Sequence, residues 1–130
     1  MTAFIEKITQ LAHDNDNIVV LWLYGSRANN TYHAHSDYDL AIAFKTFLKN
    51  PLETRLRPEI FALEWQNLLQ LNESRLSVID INHVPIALAY EIIQYNKVLF
   101  CRELKRLWRE ENRIYGRMEL DILYSMKHYV

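Results

Sequence analysis

The apolar run from Ile18 to Tyr24 ends on Gly25, one of only two glycines among 130 residues, and a second apolar run opens with Asp37 and Asp39. Ten residues, Arg27 to Ser36, separate Ser26 from Asp37. The pattern demands a strand, a sharp turn, a polar spacer and a second strand. From Asp37 to Phe44 the period is two, which predicts Asp37 and Asp39 on one face and Tyr38, Leu40, Ile42 and Phe44 on the other.

Those residue types in that order point to phosphate chemistry. A glycine after a strand lets the backbone approach a phosphate closely, and a helix start behind it aims free N–H groups at the same anion. Ser26 adds a hydroxyl donor, and Arg27 either pairs with phosphate oxygens or points to solvent. Two carboxylates side by side repel unless a cation or proton lies between them, and hard oxygen ligands of this kind suit Mg2+, with substrate phosphates completing its shell. Either half alone has a bland alternative, an ordinary Gly-Ser turn or a solvated Asp-x-Asp strand start. Their conjunction between two strands predicts nucleotidyl transfer.

Bulk properties narrow the classes. The length suits a single domain over 1–130 with a real core. A formal net charge of -1 and a pI near 6.5 give none of the basic excess of a dedicated nucleic-acid binder, so template-directed polymerisation is not expected. Cys101 is the only cysteine, which excludes an internal disulfide and fits a reducing cytosol. Neither a leader pattern nor a membrane-length apolar run is visible, and the expected location is the cytoplasm.

Periodicity supplies the remaining elements. Phe4, Ile5, Ile8, Leu11 and Ala12 predict a first helix, and the Arg27–Ser36 stretch predicts a short helix and a loop. Asn50-Pro51 marks a break, and Pro58 is expected in the first turn of a helix carrying Phe61, Trp65, Leu68 and Leu69. Arg75 to Asn82 alternates as a third strand, Pro85 opens a helix, and Lys97 to Cys101 predicts a short edge strand. A long helix of about 103–128 closes the chain, with Leu104, Leu107, Trp108, Ile114, Tyr115, Met118 and Ile122 on one side and Gly116 weakening its middle. The expected class is α/β or α+β, a small mixed sheet with helices mainly on one face.

Other candidates carry two meanings each. Asp80 sits in an apolar strand and needs a partner or a metal, or else caps the Asn82-His83 turn. His33 and His35 form a His-x-His pair, more consistent with a polar loop than with zinc, which takes three or four protein ligands. Trp22 and Tyr24 either face a base or pack in the core. Arg102, Arg106, Arg109, Arg113 and Arg117 form one helical stripe, either a solvated basic face or a surface for a partner.

Gly25-Ser26-Arg27-Ala28 and Ser36-Asp37-Tyr38-Asp39-Leu40 resemble the signature of the DNA polymerase beta-like nucleotidyltransferase superfamily. The small size is similar to its minimal nucleotidyltransferase branch, whose members commonly act as antitoxins to HEPN-domain ribonuclease toxins. Val78-Ile79-Asp80-Ile81 looks like the third-carboxylate strand. Asn29-Asn30 and Asn96 depart from the pattern, standing where relatives often carry a basic residue with glycine, and glycine. The resemblance implies a polymerase beta-like fold and Mg2+-dependent transfer of AMP from ATP to a tyrosine hydroxyl of a cognate HEPN toxin. It further implies that Gly25, Ser26 and Arg27 hold the nucleotide, and that Asp37, Asp39 and Asp80 are catalytic and bind two metal ions. Two alternatives remain open: neutralisation of the partner by occlusion alone, and nucleotidyl transfer to a small molecule.

Overall fold

A computed structural model describes residues 2–71 and 74–128. Its elements run α1 (Thr2–His13), β1 (Ile18–Tyr24), a 3-10 turn (Gly25–Arg27), β2 (Tyr38–Phe44), α2 (Pro51–Leu68), β3 (Leu76–Asp80), α3 (Ile86–Tyr95), β4 (Val98–Cys101) and α4 (Leu104–His128). The strands form one mixed sheet in the order β3-β2-β1-β4. β1 is antiparallel to both β2 and β4, whereas β2 and β3 are parallel. The β4 edge position expected from sequence is observed.

Both faces of this sheet are covered, and that governs what each strand residue does. Leu21, Leu23, Leu40, Ile42, Phe44, Leu76 and Val78 pack with Ile8, Ala12 and Trp65, on the side of α1 and α2. Val20, Trp22, Ala41, Ala43 and Ile81 pack with Ala89, Ile92, Leu107 and Ile114, on the side of α3 and α4. The mixed sheet and long terminal helix agree with the expected class. Helices divide two and two between the faces instead of gathering mainly on one, because β1 and β2 are apolar on both sides and each side must be buried.

Local boundaries differ where caps decide them. α2 starts at Pro51, not near Pro58, because the Asn50 side chain accepts hydrogen bonds from Leu52 N and Glu53 N, at 2.9 and 3.1 Å, and caps the helix there. Pro58 therefore lies inside α2. The spacer forms only the 3-10 turn before its loop. Asn30 and Asn96 adopt φ of 63° and 50°, the left-handed conformation that glycine takes most easily and asparagine next. Asparagine at both positions thus preserves the turn geometry. No helix among the described residues is long and apolar enough to cross a membrane.

Candidate active site

The site grows from the junction of β1, the 3-10 turn and the start of β2. Tyr24 pairs with Asp39 across β1–β2, and Asp39 pairs with Ser77 across β2–β3. Residues in register project to one side of a sheet, so Tyr24, Asp39 and Ser77 form a row on the α3–α4 face. Gly25 follows the row at φ +71°, and a Cβ there would overlap the Asp39 carboxylate, whose Cγ lies 3.1 Å from the Cβ position. Glycine is thus required twice, by its backbone angle and by the carboxylate packed against it. Ser26 is partly exposed on the same turn.

Charge crowding distinguishes the carboxylate pair. Burial, and then the nearby charge of Asp37, push the Asp39 carboxyl above its ordinary value. Asp37 is exposed, and its Oδ1 accepts a hydrogen bond from Arg75 N at 3.3 Å, on the chain entering β3. Burial, followed by the negative charge of Asp39, pushes the Tyr24 phenol up to about 12, leaving it a neutral hydroxyl beside Ser77. A cavity of about 510 Å3 opens at the β3 edge, mainly between β3 and α2, lined by Glu59, Leu63, Gln66, Leu76 and Val78 and reaching Asp37, Arg75 and Ser77 at its rim. A larger one, about 620 Å3, lies at the far end of β3 around Lys49, Arg55, Asp80 and His83, away from the carboxylate pair.

Asp80 is not brought to this site. It pairs with Ile42, three residues beyond Ser77 and on the α2 face, roughly 10 Å along the strand at the usual rise per residue. Only 3% exposed, it lies 3.5 Å from Arg57 Nη2 and 4.0 Å from His83 Nε2, and its Oδ1 accepts from Asn82 N at 2.9 Å. The capping alternative is what the structure contains, with Arg57 supplying the countercharge. The assignment of Asp80 as third carboxylate is therefore corrected: the β3 position facing the site is Ser77. No group of three or more His, Cys, Asp or Glu able to hold a metal occurs among the described residues. Asp37 and Asp39 are hard oxygen donors of the kind that suits an Mg2+ that keeps waters and takes phosphate ligands.

Arg27 also differs from expectation. Its guanidinium turns inward, 5% exposed, donating to Ser36 O at 2.9 Å and Ala34 O at 3.4 Å and stacking 4.1 Å from the Tyr38 ring. It braces the spacer loop against β2 and is not aimed at phosphate. Of the arginine stripe, Arg106 is buried, while Arg102 and Arg113 are exposed but bonded to neighbouring elements. Arg102 donates to Ile18 O, Ala12 O, His13 O and Asn15 O, tying α4 to the α1–β1 junction. Arg106 binds Glu110, Phe44 O and Asn82, and Arg113 binds Glu110 and Ile81 O. Arg109 and Arg117 are exposed, and Arg117 pairs with Asp121 at 3.3 Å. Three of the five, Arg102, Arg106 and Arg113, thus also anchor backbone carbonyls of neighbouring elements. His33 and His35 lie in an exposed loop with rings 6.5 Å apart, and Trp22 is a core residue.

Residues 6–105 match the family described as Polymerase beta, Nucleotidyltransferase, and the chain belongs to that family. Among curated proteins, Protein adenylyltransferase MntA of Aphanizomenon flos-aquae (strain 2012/KM1/D3) is 26% identical over 87 residues. That match takes in 62% of this chain and 55% of the relative, so the chain spans about half the length of the curated relative it matches. Among solved structures, a toxin–antitoxin with AMP-PNP superposes with a TM-score of 0.69 at 19% identity, covering 94% of this chain and 93% of that one. An MNT antitoxin in complex with a tri-AMPylated Shewanella oneidensis HEPN toxin gives 0.64 at 14% identity, covering 98% and 96%. At these identities the superpositions establish a shared fold.

Proposed function

We propose that the chain is a nucleotidyltransferase that moves AMP from ATP to a tyrosine hydroxyl of a HEPN-domain toxin and thereby acts as an antitoxin in the cytoplasm. The observation that carries this reading is Gly25 packed without a side chain against the Asp39 carboxylate, with Asp37 beside it. Support comes also from the protein adenylyltransferase among its relatives and from the toxin–antitoxin complexes that share its fold.

In this reading Gly25 and Ser26 receive the nucleotide phosphates, and Asp37 and Asp39 hold Mg2+ together with them. Such an ion, when bound, neutralises charge developing on the phosphates. The acceptor oxygen forms a bond to the α-phosphorus, the bond from that phosphorus to the bridging oxygen breaks, and pyrophosphate leaves with the electron pair. Residues 1–130 act as one domain. α4 is its partner-binding element, through the exposed Leu120, Leu123, Tyr124 and Met126 of its last turns.

Neutralisation by occlusion is a second reading, favoured by the displacement of Asp80 from the carboxylate pair. Calorimetric titration with ATP and Mg2+ tests the nucleotide site that transfer requires. Binding is expected for the wild-type chain, with a loss of more than about tenfold in affinity for Asp37→Asn/Asp39→Asn, a change worth about 1.4 kcal/mol. Equal affinities would remove the basis for the catalytic reading.

A further inference from the structure

β3 presents a hydroxyl, not a carboxylate, to the row that contains Asp39. Ser77 is in register with Asp39 on the same face, and its side chain hydrogen-bonds with the Tyr24 hydroxyl of the same row. An acceptor group placed against Asp39 on this face lies beside Ser77. We infer that Ser77 is the gap that limits this site: the chain orients nucleotide with two carboxylates, but β3 turns a hydroxyl to their face and its one carboxylate, Asp80, to the other. The inference rests on the nucleotidyl-transfer reading and refines it.

A serine hydroxyl is uncharged at neutral pH, so it neither accepts a proton as a carboxylate does nor offsets the charge of a further cation. The wild-type chain therefore releases the acceptor proton to solvent water while the oxygen–phosphorus bond forms and pyrophosphate departs. With Asp at this position the same bonds form and break, and the proton passes to the new carboxylate. Ser77 is only partly buried, so the longer side chain is not confined to the core.

Wild type, Ser77→Asp and Ser77→Asn separate these possibilities in two measurements. In the first, thermal unfolding is followed as Mg2+ is added. Ser77→Asp is expected to melt below wild type without divalent cation, since it adds a third negative charge beside Asp37 and Asp39, and to rise with Mg2+ by more than wild type does. Ser77→Asn, similar in size but uncharged, is expected to show no such gain. In the second, AMP transfer from ATP to a cognate HEPN-domain toxin is timed in saturating Mg2+. Ser77→Asp is expected to be faster by about 100-fold, the low end of what a positioned acid–base group contributes, and Ser77→Asn is not. Transfer by Ser77→Asp alone, with wild type inert, would support the inference most strongly. A Ser77→Asp rate at or below wild type, with no added response to Mg2+, overturns it; the transfer reading then stands if wild type transfers AMP and Asp37→Asn/Asp39→Asn does not. Absence of transfer and of Mg2+-ATP binding in all three proteins overturns both.

Discussion

Gly25 illustrates what one residue can disclose. Its rarity and its place after an apolar run identified the turn from sequence, and the coordinates add that the Asp39 carboxylate fills the space a Cβ would need. Gly25→Ala is expected to lower stability by about 1–2 kcal/mol from backbone strain and to abolish measurable ATP binding by displacing Asp39, checked by urea denaturation and calorimetry. Asp80 and Arg27 were legible as important but not as to role. A buried charge must find a partner, and sequence alone names neither Arg57 for Asp80 nor the Ala34 and Ser36 carbonyls for Arg27. Asp80→Ala leaves the Arg57 guanidinium, stacked 3.9 Å from Phe44 and largely buried, without its countercharge. A loss of about 3 kcal/mol is expected in urea denaturation, with ATP affinity within about twofold of wild type by calorimetry. The opposite pattern, unchanged stability with lost ATP affinity, would return Asp80 to the site.

At the scale of elements, strands and helices were well marked by their periodicity, whereas register was not. Val78 and Ile79 are adjacent apolar residues in β3, and each is needed because each faces a different helical layer. With both faces apolar the alternation that would distinguish Ser77 from Asp80 disappears, and only the pairing with β2 separates them. α4 obscured its anchors in a similar way. Arginines at helical spacing look solvated in sequence, yet Arg106 and Arg113 converge with Asn82 on Glu110. Burial pushes the Glu110 carboxyl up, but the hydrogen bonds from Asn82, Arg113 and Arg106 together outweigh it, and the net shift is below its ordinary 4.5. A depressed carboxyl contributes stability that is present above its unfolded value and is lost as pH falls through the folded one. Glu110→Gln is therefore expected to be less stable than wild type at pH 7, with the difference shrinking as pH drops below about 4.5. Urea denaturation of both proteins across that range checks this, and a difference independent of pH would contradict it.

For the whole molecule, the family and the motif-bearing turn were legible, whereas the two-sided layering and the gap at Ser77 required the sheet. Layer assignment depends on which side each helix crosses, and the composition of a helix with one apolar stripe is the same on either side. Trp108, Tyr115, Leu123 and Tyr124 are among the large apolar residues that α4 leaves exposed. The most direct test of nucleotidyl transfer is intact-mass spectrometry of a cognate HEPN-domain toxin after incubation with this chain, ATP and Mg2+. Mass increments of AMP on that protein, absent with Asp37→Asn/Asp39→Asn, are the predicted result. An unmodified mass, from a toxin that is nonetheless bound and silenced equally well by wild type and the double variant, would contradict catalysis and leave neutralisation by occlusion.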